Sequence, residues 1–154
     1  VDNMARAPKG GDTDQIRAVA SGECGVALTN SYYVARLIKS NRPEDRAVME
    51  KVRVVFPNQA TTGTHVNIAG AAVARHAKNV DAAIQFMEFL ASPFAQEYFA
   101  NGNNEFPAAK GVKIDNPALR SIGGDDFKSE NIPLGVVAKN LTKIQQMLDR
   151  VGYK

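Results

Sequence analysis

Tryptophan is absent from these 154 residues, cysteine occurs once, and only four tyrosines and two histidines are present. A single cysteine, Cys24, excludes an internal disulfide and any Cys-x-x-Cys metal knuckle. It reads as a small buried apolar residue beside a strand. No apolar run approaches the roughly 20 residues that a membrane-spanning helix needs. Blocks of one charge are missing as well. The 19 Lys and Arg lie interspersed with 16 Asp and Glu, for a net charge of +3, which excludes a basic nucleic-acid face.

The catalytic signatures are also lacking. The chain has no Gly-x-Ser-x-Gly elbow and no phosphate-cradling Gly-rich loop, and neither His65 nor His76 stands in a triad setting. Asp12 and Asp14 have neither the further acids nor the glycine of a calcium loop, so helix capping accounts for them. GGDDF, Gly123 to Phe127, reads as a solvated bend. These residues give no argument for an enzyme.

What is there is the balance of a globular protein, 44% apolar and 23% charged. Short apolar runs alternate with helical patterns, which implies an α/β fold. The pattern predicts a helix over Asp12 to Ser21, with Asp12 as N-cap, Gln15 in capping-box position and Gly22 as the stop. Gly25 to Thr29 reads as a strand, followed by a helix through Val34, Leu37 and Ile38. Pro43 opens another helix carrying Ala47 and Val48.

Val52 to Phe56 and His65 to Val73 read as further strands. From Asn79 to Gly102 two helices follow, the second capped by Ser92 with Pro93 at its first position. Asn103 to Pro133 reads as mostly irregular. Leu134, Val137, Leu141, Ile144, Leu148 and Val151 then trace one face of a final helix, expected to dock against something.

NSYYVAR, Asn30 to Arg36, sets two tyrosines in a helical first turn with Asn30 as the cap. One reading is a half-buried aromatic couple with its hydroxyls in water. The other is a metal site. A phenol ionises near pH 10, so a phenolate at neutral pH needs strong local help, which a trivalent cation supplies. Ferric ion prefers anionic oxygen, and the unpaired N–H groups of the first turn suit a phosphate or carbonate beside it.

In order, GDTDQIRAVASGE, GVALTNSYYVARL, VVFPNQ, GTHVNIAGAAVARHAKN and AIQFMEFLASPFAQEYFA resemble the second half of bacterial ferric-ion-binding proteins. These are periplasmic or lipid-anchored receptors of ABC-type iron importers, and the likeness covers nearly the entire chain. The resemblance implies a type II periplasmic binding-protein fold, here incomplete, and no enzyme. It implies Tyr32 and Tyr33 as ligands of Fe(III) and Asn30 as a residue holding a synergistic anion, phosphate or carbonate.

The same resemblance assigns residues 1–62 and 113–154 to the tyrosine-bearing C-terminal lobe. Residues 63–112 become a hinge strand and helices of the other lobe. The expected partners are the importer's permease and the N-terminal half that would precede VDNMARAPKGGD, with self-association or strand exchange of this chain. The alternatives are a same-fold receptor for a phosphonate, sugar phosphate or thiamine type of molecule, and a permease-docking module without ligand.

Overall fold

A computed structural model describes residues 3–7, 9–123 and 127–153. Among the described residues seven α-helices form, where the caps and periodicity place them but for three corrections. The first helix, α1, spans Asp12–Ser21, but its N-cap is Gly11, one residue earlier than expected. The Asp14 carboxylate reaches back to accept the Gly11 N–H at 2.9 Å, the capping contact expected of Gln15. Gly22 closes the helix at φ +81°, a left-handed conformation that costs glycine little.

Helix α2 is Ser31–Ile38 and α3 is Pro43–Met49, with Pro43 in its first turn. Helix α4 runs Val80–Leu90, and α5, Pro93–Tyr98, is capped by the Ser92 hydroxyl, which accepts the Ala95 N–H. Gly102 does not stop this helix. A π turn continues over Phe99–Asn103 and ends at Asn104, held at φ +62°.

The third correction is α6, Pro117–Ile122, inside a stretch read as irregular. Asn116 caps it by accepting the Ala118 and Leu119 N–H groups, and Pro117 starts it. The glycine-, asparagine- and proline-rich flanks hide so short a helix. Helix α7, Leu134–Arg150, is the expected long final one.

The three expected strands do not form a sheet. Gly25 to Thr29, Val52 to Phe56 and His65 to Val73 contain no ladder, and the only β pairing among the described residues is an isolated parallel bridge of Thr64 with Ser129. A strand exists only through a neighbour's N–H and C=O groups, and these segments find none here. Val26 is 85% and Leu28 92% exposed.

At the bridge, Thr64 N–H donates to Lys128 O and Glu130 N–H to Thr64 O, both at 2.8 Å. Gly63 makes the approach possible. Its φ is +94°, and a Cβ there would lie 2.7 Å from the Ser129 carbonyl carbon.

Burial concentrates on one side. Ile16 of α1, Val34 and Leu37 of α2, and Leu119 and Ile122 of α6 share a core with Ala100 from the π turn. Beside it, Asp45 of α3 is only 1% exposed and accepts from Arg17 Nη2 at 2.9 Å, Arg42 Nε at 3.0 Å and the Ser40 hydroxyl at 2.6 Å. The Ser40 hydroxyl, followed by the two guanidinium groups, holds the Asp45 carboxyl below its ordinary range against the opposing effect of burial.

Helix α7 differs from its expectation. None of its residues is buried, and Leu134, Leu141 and Met147 stay more than half exposed. No helix among the described residues is long and apolar enough to cross a membrane. Of GGDDF, Gly124, Asp125 and Asp126 lie outside the described residues.

Candidate functional site

Asn30, extended at φ −73° and ψ 139°, turns the chain into α2, so Tyr32 and Tyr33 fall in the first turn. Their ring centroids lie 4.3 Å apart with the planes tilted by 35°. Arg36 follows at the helical spacings i+4 and i+3, which brings its guanidinium carbon 6.0 Å from the Tyr32 ring centre and 5.2 Å from that of Tyr33.

These three side chains form one wall of an open cleft of about 380 Å³. The other wall is Gly102, Asn103, Asn104 and Glu105, the end of the π turn and the residues after it. Single π turns inside helices recur at functional sites, because the extra residue re-aims the chain.

A buried polar network fixes that wall. Asn104 is 6% and Asn116 2% exposed. Asn116 Nδ2 donates to Asn104 Oδ1 at 2.9 Å and to Ala100 O at 2.8 Å. From the C-cap of α2, Lys39 Nζ donates to Asn104 Oδ1 at 3.2 Å and to Asn101 O at 3.1 Å, so the end of the tyrosine helix and the opposite wall are tied directly.

The Tyr33 hydroxyl pushes the Tyr32 phenol above its ordinary pKa of 10.0. Partial burial and the negative charge of Asp12 act in the same direction, and Arg36 opposes them. Tyr32 is therefore a neutral phenol at neutral pH.

Asn30 sits at the expected position, but its side chain does not cap the helix. Instead Asn30 Nδ2–H and Asn30 N–H donate to Asp12 Oδ2, at 3.1 and 2.7 Å, and the Thr29 hydroxyl donates to the same oxygen at 3.1 Å. Asp12, read from the sequence as the cap of α1, is the anchor of α2. An incoming anion would meet an Asn30 amide already engaged and a carboxylate beside it.

Sequence reasoning brought Tyr32, Tyr33 and Asn30 together and missed Asp12, Arg36, Asn104 and Glu105. Arg36 was legible from its spacing to the tyrosines. The others depend on tertiary contacts. Among the described residues no three His, Cys, Asp or Glu side chains converge as metal ligands. His65 pairs with Glu130 at 2.9 Å, away from this cleft's lining.

The cleft thus lies between the start of α2 and the end of the π turn. Residues 1–121 match the family described as bacterial extracellular solute-binding protein, and the chain belongs to that family. Its solved relatives have the type II periplasmic binding-protein fold, of which this chain forms a part.

Iron uptake protein A2 of Synechocystis sp. is 53% identical over 100% of this chain and 44% of its own length. Iron uptake protein A1 of the same organism is 42% identical over 100% of this chain and 42% of its own. Apo FutA2 from Synechocystis superposes with a TM-score of 0.89 at 46% identity, covering 99% of this chain and 48% of that one. A Trichodesmium protein described in complex with iron and citrate ligands gives 0.89 at 47% identity over 99% and 47% of the two chains. The present chain spans less than half the length of these relatives.

Proposed function

We propose that this chain supplies the tyrosine-bearing half of an extracytoplasmic receptor that captures ferric ion for an ABC-type importer. The observation that carries the reading is the adjacent pair Tyr32 and Tyr33, 4.3 Å apart and facing one cleft. Phenol oxygens are hard donors matched to a hard trivalent cation. The names of the relatives support iron as the cargo over a phosphonate, sugar phosphate or thiamine type of ligand, and none of them states a catalytic activity.

Two phenols leave most of a six-coordinate shell open. The remaining donors come from the half of the receptor beyond the matched region and from an anion on the first-turn N–H groups of α2, beside the Asn30 amide that Asp12 already holds. Phosphate and carbonate are the expected anions, and citrate joins them because a relative is described with iron and citrate. Binding is capture by closure, in which the lobes come together because the closed state gains ligands from both sides.

Ferric binding expels the phenolic protons, and the raised Tyr32 pKa makes that loss costlier at neutral pH. Acidification therefore weakens the complex and favours release at the permease. The receptor works in the periplasm or on a lipid anchor.

Residues 1–62 and 113–154 belong to the tyrosine lobe and 63–112 to the hinge and the other lobe. Within 63–112, Ala100 and Phe106 pack with the core that holds Val34 and Leu37 of the tyrosine helix. The uncovered faces of α4 and α7 make the 154-residue chain self-associate, and a monomer at micromolar concentration in size-exclusion chromatography counts against this.

The test is the phenolate-to-iron absorption band. Ferric salt added to the full-length receptor is expected to produce visible colour, and Tyr32→Phe with Tyr33→Phe to abolish it. A colourless wild-type protein would falsify the ferric reading.

A further inference from the structure

We propose that Asp12 is a positioning residue for the tyrosine pair, a carboxylate from α1 that sets where α2 begins and so where the two phenols point. The proposal rests on the ferric reading above. Three donors converge on one oxygen, Asp12 Oδ2: the Asn30 backbone N–H at 2.7 Å, the Asn30 side-chain amide at 3.1 Å and the Thr29 hydroxyl at 3.1 Å. The backbone contact is short, as expected when the acceptor carries charge.

All three donors lie in the two residues immediately before α2, 17 and 18 positions along the chain from Asp12. A contact at that separation joins two elements and does more than shape a local turn. It also diverts the Asn30 side chain, whose type favours capping its own helix, so that α2 starts without a side-chain cap.

Without the Asp12 carboxylate, Asn30 is free to turn back onto the first-turn N–H groups. The chain entry to α2 then shifts, and Tyr32 stands only two residues further on. Outer partners that fix the orientation of metal-binding groups recur in metal sites, and their removal typically costs about 10–100-fold in metal affinity.

The experiment uses the full-length receptor loaded with ferric ion, in wild-type form and as Asp12→Ala, Asp12→Asn and the control Ser92→Ala. Ser92 caps α5 and lines no part of the cleft. Each protein is read by the position of its charge-transfer band and by its rate of iron loss to excess EDTA. Asp12→Ala is expected to shift the band and to speed loss roughly tenfold.

Asp12→Asn keeps an oxygen acceptor without the charge, and is expected to fall between wild type and Asp12→Ala in both readouts. Ser92→Ala lowers the melting temperature and leaves band and rate unchanged. Wild-type band and rate in Asp12→Ala overturn the proposal, as does an equal response of the Ser92→Ala control. If Asp12→Ala fails to fold, Asp12→Asn decides on the same terms. A wild-type receptor with no band at all marks failure of the ferric reading itself, a different outcome from an unresponsive Asp12 variant.

Discussion

Leu119 and Leu141 are the same residue in two helices and have opposite fates. Leu119 sits in α6, six residues long and almost without periodicity, and is fully buried; Leu141 sits in the seventeen-residue α7 and is 59% exposed. The contrast extends to their surroundings. The core of α1, α2 and α6 collects its apolar residues from across the chain, whereas neither α4 nor α7 buries a single residue. An amphipathic face states a demand for cover and does not say which polypeptide meets it.

Four measurements break or sharpen this comparison. The largest effect is expected from Leu119→Ala, about 3 kcal/mol of lost stability in urea denaturation, because the site is closed on all sides. A loss under 1 kcal/mol would mean that the core is looser than its burial implies.

Asn116→Ala comes next. It removes the α6 cap and leaves Asn104 short of a donor, for a loss of about 2 kcal/mol in the same assay. It also frees the cleft wall, so iron loss from the loaded receptor should accelerate alongside. Unfolding that changes without any change in iron loss would separate the wall from the site.

The third is a dependence on pH. Asp45 has a lowered pKa, so its contribution is complete above the ordinary carboxylate value of 3.8 and is lost as pH falls through the depressed native value. Stability of the wild type is expected to decline over that acid range, and Asp45→Asn to flatten the decline. Identical acid profiles for the two proteins would remove Asp45 from the account.

The smallest effect is expected from Leu141→Ala in the 154-residue chain, within about 0.5 kcal/mol, as for an exposed position. The same substitution in a full-length receptor should cost about 2 kcal/mol if the other half covers α7. Equal small effects in both settings would leave this face without a structural partner.

Much of the helical framework was legible because caps are local. Gly22, Pro43, Ser92 and Pro93 act through their own backbone geometry and nearest neighbours, and each stands where the pattern put it. The strands were not, since Val52 to Phe56 has the right residues for a ladder and no described neighbour to form one. The site divides in the same way. Tyr32, Tyr33 and Asn30 are adjacent in sequence and were found together, while Glu105 and Asn104 reach the cleft only through the π turn and the Asn116 and Lys39 contacts.

By itself the sequence determined most of the segments that become helices, where two phenols sit side by side, and which faces seek cover, because capping and periodicity operate over a few residues. Only the tertiary structure decided that Asp12 anchors the tyrosine helix, that the Asn30 amide turns away from its own helix, and that Asp45 lies buried among two arginines and a serine. The reason is range. A hydrogen bond between residues 18 or 28 positions apart leaves no periodic trace in the chain, and it exists only once packing has brought the two elements together.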